Sequence, residues 1–544
     1  MIDYIEPVTG TEFFARRDIL KSLHESANDI QDGYCRNIAL IGSGLIGKSS
    51  LLLQFLSKID NSDKLLPVYL NLKNASMEDF VLNLMTRLLY HSLKKCTQLK
   101  ELYELSALLK IGQKVFPKSC DLIKRVQVLL AEKHYDDAFS EAWDLNVILN
   151  LESGYFPVIV IDEFSLIARF SLKRPYQVLG QKIMVQQKTL FLLSSSCALC
   201  ARKILSEKLS LLFGGFRVID IGAFNPPEAK EFLQTKCKGV IIPNEISDFI
   251  LTFTGGHPFY LSSIINKIDS ARGYGTERIT KKNLSCIIAE LLFCSGGPVG
   301  EFFTNMLASI HEAAPSINIM DILLALVKPV RVRNILSKNI ISAAELNKIL
   351  NSLLELGLIS KSGALYSVTD AVFRMWIEGK SKPRNLYFDF VPQQARADYA
   401  DEIQNRITDF NFERKKSFDK RVIELISSFN DDQFFIDERV RILPRVGSIQ
   451  LRHLDHSSFL ITAKGKKNCL FLVLLKDVEE EDVYMALRRI KMLRYKKPKV
   501  ILLTPMGIRA SAKLLAKQKQ LWIWTKNDMA RLFEFYKGYN ALIA

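Results

Sequence analysis

The residues best suited to chemistry form the run Gly-Ser-Gly-Leu-Ile-Gly-Lys-Ser-Ser, which begins at Gly42. Its glycines let the backbone curl so that successive N–H groups point inward, and a helix that starts here adds the positive end of its dipole. Lys48 supplies a mobile cation for phosphate oxygens, and the Ser49 hydroxyl can ligate Mg²⁺. An apolar strand before the run and an apolar helix after it favour a phosphate-binding loop over an ordinary glycine turn. The predicted nucleotide-binding residues of this loop are Gly42, Ser43, Gly44, Leu45, Ile46, Gly47, Lys48, Ser49 and Ser50.

A pair of carboxylates, Asp162 and Glu163, lies at the end of a second apolar run, Phe156–Phe164. The continuous β-branched residues of this run are typical of a strand buried on both faces of a parallel sheet. In phosphoryl transfer an acid beside the loop holds Mg²⁺ through water, and we assign this role to Asp162. The next acid can orient and deprotonate the attacking water, and we assign this role to Glu163. The sequence therefore predicts Lys48 and Glu163 as catalytic residues, with Ser49 and Asp162 as metal ligands.

Other polar side chains near these motifs each have two interpretations. Ser195 follows a buried run, and either this residue or a neighbouring serine detects the terminal phosphate, or the serines only form a turn. Arg217 precedes another apolar run and either contacts a phosphate, in this subunit or the next, or is solvated. Arg16 and Arg17 begin an amphipathic stretch before the loop, where they either contact nucleotide or face solvent. His257 and the residues beside it, Gly-Gly-His-Pro, predict a sharp corner between helices that by itself is structural.

Composition limits the class of protein. The chain has 544 residues, 48% of them hydrophobic and 24% charged, which is globular composition. At roughly 100–200 residues per domain, this length suggests about three or four domains. The formal net charge of +16 and the pI near 9.2 favour polyanionic partners, nucleic acid first and a membrane surface second.

Cysteine usage and hydropathy suggest the compartment. The nine cysteines include one closely spaced pair, Cys197 and Cys200, without a second pair at zinc-site spacing. Scattered, odd-numbered cysteines suit a reducing compartment. The N terminus does not resemble a signal peptide, and no uninterrupted apolar run approaches the length of a membrane span. We therefore expect a cytoplasmic protein without a membrane partner.

At these positions the chain resembles the archaeal-type ATPases of the STAND class, relatives of the AAA+ ATPases. The resemblance covers about residues 11–290 and implies ATP and Mg²⁺ as ligands, an α/β P-loop sheet and a helical lid. It also implies that Ser195 is a phosphate sensor, that Arg217 is a catalytic arginine finger in a homo-oligomer, and that His257 and Pro258 contact nucleotide. This chain departs from the family by having only serines after the sensor strand and Gly-Gly-Phe-Arg before the next strand. The matching residues are Gly42–Ser49, Ile159–Phe164, the serines after Leu193, Phe213–Arg217 and Gly255–Pro258.

A winged helix usually follows the ATPase in this family, and residues 319–378 fit that pattern. We predict helices at 322–327, 332–337 and 343–356, followed by a hairpin at 358–368. Such a unit either contacts DNA or docks protein, and the third helix lacks the Arg/Asn/Gln cluster expected for strong base readout. Candidate phosphate contacts around it are Lys328, Arg331, Arg333, Lys338, Lys348 and Lys361.

The remaining residues, about 409–540, resemble a restriction-endonuclease-like domain of the PD-(D/E)xK type. A nuclease of this type needs an Asp on one strand and Glu-x-Lys on the next to hold Mg²⁺ and assist the water. Asp455 and Lys476 stand at suitable positions, but Leu474 occupies the place of the glutamate. The acids at 477–482 are explained by the start of a helix. We therefore expect this domain to be inactive as a nuclease.

These observations predict an ATPase core at residues 1–225, a helical lid at 226–300, a winged helix at 301–380, a linker at 381–408 and a nuclease-like domain at 409–544. The corresponding function is a Mg²⁺-dependent, ATP-binding and ATP-hydrolysing switch that acts on DNA. Two alternatives stay open: an active ATP-dependent nuclease, and a nucleotide-regulated protein scaffold that binds no nucleic acid.

Overall fold

The computed structural model describes residues 6–537 except for short gaps. Contacts between residues divide the chain into two compact units. Unit 1 contains residues up to Phe224 together with 257–259 and 355–357, and unit 2 contains the rest. Several predicted features lie outside the described residues, namely Phe213 and Gly214, Lys338 and residues 382–392 of the linker. The gaps are residues 98, 100–103, 210–214, 273–276, 314, 316, 338–340, 382–392, 437–438, 466–467 and 493–497.

The sheet of unit 1 is parallel throughout, in the order β2-β3-β4-β1-β5. Ile41 pairs with Ser195 and Asn71 pairs with Asp162, so the carboxyl ends of four strands meet at one edge. This edge is where ligands bind in open parallel sheets. The parallel P-loop sheet expected from the sequence is thus confirmed. The strands are β1 (Ile38–Ile41), β2 (Leu65–Asn71), β3 (Phe156–Asp162), β4 (Leu190–Ser195) and β5 (Arg217–Asp220).

Helices cover both faces of this sheet. Ile159 and Ile161 of β3 belong to one hydrophobic cluster, and Val158 and Val160 belong to the other. The strand is therefore buried on both sides, as its unbroken β-branched run predicts. The helices of unit 1 are α1 (Arg17–Asp29), α2 (Lys48–Ile59), α3 (Met77–Cys96), α4 (Leu105–Gly112), α5 (Pro117–Ala131), α6 (Tyr135–Ala142), α7 (Leu145–Ser153), α8 (Pro175–Val185) and α9 (Ala198–Lys203).

Unit 2 begins with helices and continues into a small antiparallel sheet of order β6-β8-β7. Its third helix starts at Pro258, within the segment that groups with unit 1. The predicted wing is the β7–β8 hairpin, in which Lys361 pairs with Tyr366. The elements are α10 (Pro226–Lys236), α11 (Asn244–Thr254), α12 (Pro258–Arg272), α13 (Lys281–Phe293), α14 (Pro298–Ala313), α15 (Ile319–Leu326), β6 (Val330–Arg331), α16 (Val332–Leu336), α17 (Ala343–Glu355), β7 (Ser360–Ser362), β8 (Leu365–Ser367) and α18 (Ala371–Lys380).

One stretch of the described residues, Lys281–Glu312, is long and apolar enough to be compared with a membrane-spanning helix. It comprises α13 and most of α14, and residues 294–297 separate these two helices. Leu284 and Phe303 are buried in unit 2. This is the pattern of two core helices.

The linker expected at residues 381–408 is partly wrong. Residues 393–408 belong to a helix, α19 (Gln393–Lys415), so the predicted boundary at 408 falls inside a helix. The Tyr399 ring stacks on Phe293 with centroids 4.2 Å apart, and Arg414 forms an ion pair with Asp248. The mixed polar sequence suggested a loop, but its apolar side chains pack on α11 and α13.

The C-terminal part of unit 2 contains a sheet of order β11-β12-β13-β14-β15 and a separate β9–β10 pair. The strands β11, β12 and β13 are antiparallel, and β13, β14 and β15 are parallel. Sequence reasoning missed β11, because an edge strand with many exposed side chains lacks a hydrophobic alternation. The elements are α20 (Phe418–Ser427), β9 (Asp432–Ile436), β10 (Arg439–Leu443), β11 (Val446–Asp455), β12 (Ser458–Gly465), β13 (Cys469–Leu474), α21 (Glu480–Met492), β14 (Lys499–Thr504), α22 (Ala510–Gln518), β15 (Trp522–Thr525) and α23 (Lys526–Lys537).

Candidate nucleotide-binding site

The glycine-rich loop connects β1 to α2 at the carboxyl edge of the unit 1 sheet. A Cβ atom on Gly42 would lie 2.4 Å from the carbonyl oxygen of Ile221, so only glycine fits there. Gly47 caps α2 in the left-handed region with φ of 93°, and Leu45 is also left-handed with φ of 55°. The first N–H groups of α2 have no carbonyl partner within the helix and are positioned for an anion.

Lys48 lies inside this loop and is 4% exposed. Its Nζ donates hydrogen bonds to the carbonyl oxygens of Gly42 and Ser43, each at 2.9 Å. Burial lowers the pKa of Lys48, while the carboxylates of Glu163 and Asp162 act in the opposite direction. The Lys48 ammonium group therefore lies inside the loop, where the negative charge of bound phosphate groups would compensate for its lost hydration.

Three hydroxyl groups converge on the carboxylate of Asp162. Oδ2 accepts from Ser49 Oγ and from the Tyr69 hydroxyl, both at 2.6 Å, and Oδ1 accepts from Ser194 Oγ. Burial raises the pKa of Tyr69, and the Asp162 carboxylate contributes further, so this phenol stays protonated as a donor. Sequence reasoning did not find Tyr69, although this residue stands on β2 two residues before the end of that strand.

The Glu163 carboxylate lies next to this group and is buried. Its backbone is left-handed, with φ of 59°, which re-aims the side chain directly after β3. Oε2 accepts hydrogen bonds from the backbone N–H and the hydroxyl of Ser196, both at 2.8 Å. Ser196 therefore positions the residue that the sequence assigned as the general base.

The three serines that end β4 have different partners, and Ser195 is not the one that contacts the acids. Ser194 bonds Asp162 and Ser196 bonds Glu163. The hydroxyl of Ser195 instead lies 3.0 Å from Ser165 Oγ and accepts from the N–H of Cys197. Because alternate strand residues face opposite sides of the sheet, Ser195 does not share the side of Ser194, and the sensor role of Ser195 or a neighbour stays a prediction.

His257 lies near the loop, with Nε2 3.5 Å from Ser43 Oγ, and Pro258 begins α12 directly after it. Burial, together with the charges of Lys48 and Arg16, lowers the pKa of His257 to about 3. The imidazole is therefore neutral near pH 7. The contact places His257 beside the predicted phosphate loop within unit 1.

Arg217 lies away from this group in its own chain. It pairs with Ile38 at the amino end of β5, whereas the loop follows Ile41, roughly 10 Å further along the sheet at ~3.3 Å per residue. Its guanidinium donates to Ser22 Oγ at 2.6 Å. The interpretation that Arg217 contacts phosphate in the same subunit is wrong.

Arg16 is the arginine that lies beside the loop. Its Nη2 donates to the carbonyl oxygens of Ile46 and Gly222, at 2.8 and 2.9 Å, and its guanidinium lies over the Phe224 ring. Its charge also lowers the pKa of Lys48. The sequence left the position of this residue open, because an arginine at the start of a helix usually faces solvent.

The side chains of two loop residues, Ile46 and Ser50, have contacts within the protein. Ile46 is buried in the hydrophobic cluster on one face of the sheet. The Ser50 hydroxyl accepts a hydrogen bond from the N–H of Val8 at 3.1 Å. The Ser50 hydroxyl thus bonds within the chain, and the nucleotide contact of Ser50 stays a prediction.

The donor set fits Mg²⁺. Ser49 Oγ and the Asp162 carboxylate are hard oxygen ligands 2.6 Å apart, the ligand type that Mg²⁺ prefers. Within the described ranges no group of three or more His, Cys, Asp or Glu side chains could hold a metal by itself. A metal at this site would therefore rely on phosphate oxygens and water for its other ligands, as is usual for Mg²⁺.

The comparisons with known proteins give limited information. No family model and no curated protein matches the sequence. Among solved structures, a Walker-type ATPase of Pyrococcus abyssi is similar over 69% of this chain and 99% of its own, with 16% identity and a TM-score of 0.48. The ORC2 protein of Aeropyrum pernix, solved with ADPNP and ADP, covers 74% of this chain and 97% of its own, with 13% identity and a TM-score of 0.44. The A. pernix ORC1 protein, solved with DNA, covers 74% of this chain and 94% of its own, with 12% identity and a TM-score of 0.39. At these scores the similarities assign no activity to this chain.

Proposed function

We propose that this chain is a Mg²⁺-dependent, P-loop ATPase of the STAND/AAA+ type that acts as a switch on DNA. The observation that carries the ATPase proposal is the convergence of Lys48, the Ser49–Asp162 pair and Glu163 at one edge of the sheet. A buried cation, a metal-binding pair and a base are the groups that phosphoryl transfer to water requires.

Each group has a distinct role in ATP hydrolysis. The loop N–H groups and Lys48 bind the phosphates and place them in line with water. Glu163 accepts the proton of that water, and Ser196 holds its carboxylate in position. Ser49 and Asp162 would hold Mg²⁺, and Tyr69 and Ser194 orient the Asp162 carboxylate. Bound Mg²⁺ supplies positive charge for the phosphate oxygens.

Two arginines have roles that differ from their sequence interpretation. Arg16 supports the loop from its own chain through the Ile46 carbonyl. Arg217 is exposed at the far end of β5, so a catalytic role would require the site of a second copy. We therefore propose a homo-oligomer in which Arg217 of one copy is the arginine finger at the site of another.

DNA binding by a winged helix is the second part of the proposal. Four elements support it: α15, α16 and α17 followed by the β7–β8 hairpin. Leu346, Ile349 and Leu353 bury one face of α17, and the opposite exposed face carries Asn347, Lys348 and Asn351. Asparagine can bond an adenine edge, so we propose Asn347 and Asn351 as base contacts on a helix that lacks the cluster expected for strong base readout. Lys361 is exposed on the hairpin.

A salt titration tests this proposal. Lys348→Ala and Lys361→Ala should each weaken binding to duplex DNA and lower the slope of log K against log salt by about one, because each removes a phosphate contact. Fluorescence anisotropy with and without ATP measures both effects. Lys282→Ala, an exposed lysine on α13, is the matched control and should leave the slope unchanged. An unchanged slope in both wing and helix variants would favour the protein scaffold without nucleic-acid binding.

The C-terminal part is proposed as a nuclease-like domain without nuclease activity. The order α20, three antiparallel strands, α21 and a parallel strand supports the fold assignment. Ser458, beside Asp455, pairs with Leu474, so a leucine lies where a second carboxylate is required. Hydrogen bonding from Ser458 lowers the pKa of Asp455 to about 2. Lys476 is bonded to Asp482 at 2.7 Å.

We expect no cleavage when plasmid or linear DNA is incubated with the protein, ATP and either Mg²⁺ or Mn²⁺. One carboxylate and a lysine hold a divalent cation poorly, so no attacking hydroxide is generated. Gel analysis measures nicking, and a restriction endonuclease in the same buffer is the positive control. Cleavage that is lost in both Asp455→Ala and Lys476→Ala would instead establish the ATP-dependent nuclease.

A further inference from the structure

A pair of cysteines follows β4 and Ser196, which contact the carboxylates of Asp162 and Glu163 respectively. Cys197 and Cys200 are joined by a disulfide, with Cα atoms 5.4 Å apart. Both residues are partly exposed, so solvent reductants can reach them. Buried thiols elsewhere differ, because burial raises the pKa of Cys120 and Cys237 to about 11 and disfavours the reactive thiolate.

The residue directly before Cys197 is Ser196, which bonds the carboxylate of the general base. The N–H of Cys197 donates to Ser195 Oγ at 3.1 Å, and its carbonyl accepts from Ala201 at 2.9 Å. Ser196, between Ser195 and Cys197, donates two hydrogen bonds to Glu163 Oε2. A change in the conformation of the turn after β4 therefore moves the two donors that hold the Glu163 carboxylate.

We propose that Cys197 and Cys200 form a reversible redox site that controls ATP hydrolysis through Ser196 and Glu163. With the disulfide closed, Ser196 holds the Glu163 carboxylate in position to act as base. With the disulfide open, the turn relaxes and the carboxylate is no longer held in that position. The inference rests on the proposed ATPase function, and it assigns Ser196 as a positioning residue.

The chemistry is thiol–disulfide exchange with a small or protein disulfide as oxidant. A cysteine thiolate attacks one sulfur of that disulfide, and its other sulfur leaves as a thiol after taking a proton. The second cysteine then displaces the remaining partner sulfur. Two electrons pass to the partner, which is released as two thiols, and the Cys197–Cys200 bond forms. A dithiol reductant reverses both steps.

The test uses the full-length protein in buffers of reduced dithiothreitol or oxidised glutathione. Trypsin cleaves after Lys188 and Arg202, so one peptide carries both cysteines and its alkylated mass reports their oxidation state. We expect kcat about 10-fold lower in the reduced protein, part of the roughly 10²–10⁴-fold that a general base contributes. ATP affinity should change less than kcat, because Lys48 is held by the carbonyl oxygens of Gly42 and Ser43 within the loop.

Variants separate the disulfide from other effects. The double variant Cys197→Ser, Cys200→Ser should have the kcat of reduced wild type in both buffers, and Ser196→Ala should reduce the difference between the two states. Cys96→Ser, an exposed cysteine elsewhere in unit 1, should keep the full response. Equal kcat in both buffers despite a converted peptide, a peptide that does not oxidise, or a redox response in the double variant would each overturn the proposal. Absence of hydrolysis in every state would instead overturn the proposed ATPase function.

Discussion

Glu163→Gln should leave ATP binding intact and lower the rate of hydrolysis by roughly 10²–10⁴-fold, the usual contribution of a general base. Glutamine has nearly the same shape and still accepts hydrogen bonds from Ser196, so the turn after β4 keeps its structure. It cannot accept a proton from the attacking water. Single-turnover phosphate release measures the chemical step, and a titration with labelled ATP measures binding.

The matched control for this variant is Glu207→Gln, an exposed glutamate of the same unit. It should hydrolyse ATP at the wild-type rate. If Glu163→Gln also hydrolysed at that rate, the base would have to be another group, and the assignment of Glu163 would be wrong.

Lys48→Ala should weaken ATP binding at least about 100-fold, or roughly 3 kcal/mol, because it removes a charge-assisted contact to phosphate. In the structure Nζ bonds the carbonyl oxygens of Gly42 and Ser43, so these oxygens also lose their donor. Alanine is a good helix former at the start of α2, and the fold should persist. Isothermal titration with ATP and Mg²⁺ measures the affinity.

Lys58→Ala, an exposed lysine near the end of the same helix, is the control for charge removal and should bind ATP as wild type does. Both variants should unfold at temperatures close to that of wild type. ATP binding by Lys48→Ala at wild-type affinity would show that the glycine-rich loop is not the nucleotide site.

The sequence alone was sufficient for the parts of the site that depend on local pattern. The glycine spacing and Lys48 define the loop, and a continuous β-branched run identifies β3 and the acids at its end. The parallel sheet followed from buried strands separated by helices. These features are predictable because a phosphate loop, a buried strand and a helix start are each encoded within about 10 residues.

Contacts between strands were decided by the tertiary structure. Tyr69 bonds Asp162 because β2 and β3 pair in a register that no local pattern specifies. Which of the three serines after Leu193 contact the site carboxylates depends on the side of β4 that each hydroxyl faces and on the turn that follows. The positions of Arg16 and Arg217 depend on how distant segments pack.

The C-terminal half shows the same division. Strongly apolar strands such as β13 were recognised from sequence, whereas the exposed edge strand β11 and the polar helix α19 were not. The apolar face of α17, with Leu346, Ile349 and Leu353, follows from the sequence, and the structure adds that Asn347 and Asn351 are exposed. Hydrophobic periodicity predicts which residues form a core, but strand register, side-chain direction and the packing of polar elements arise from contacts between residues far apart in the chain.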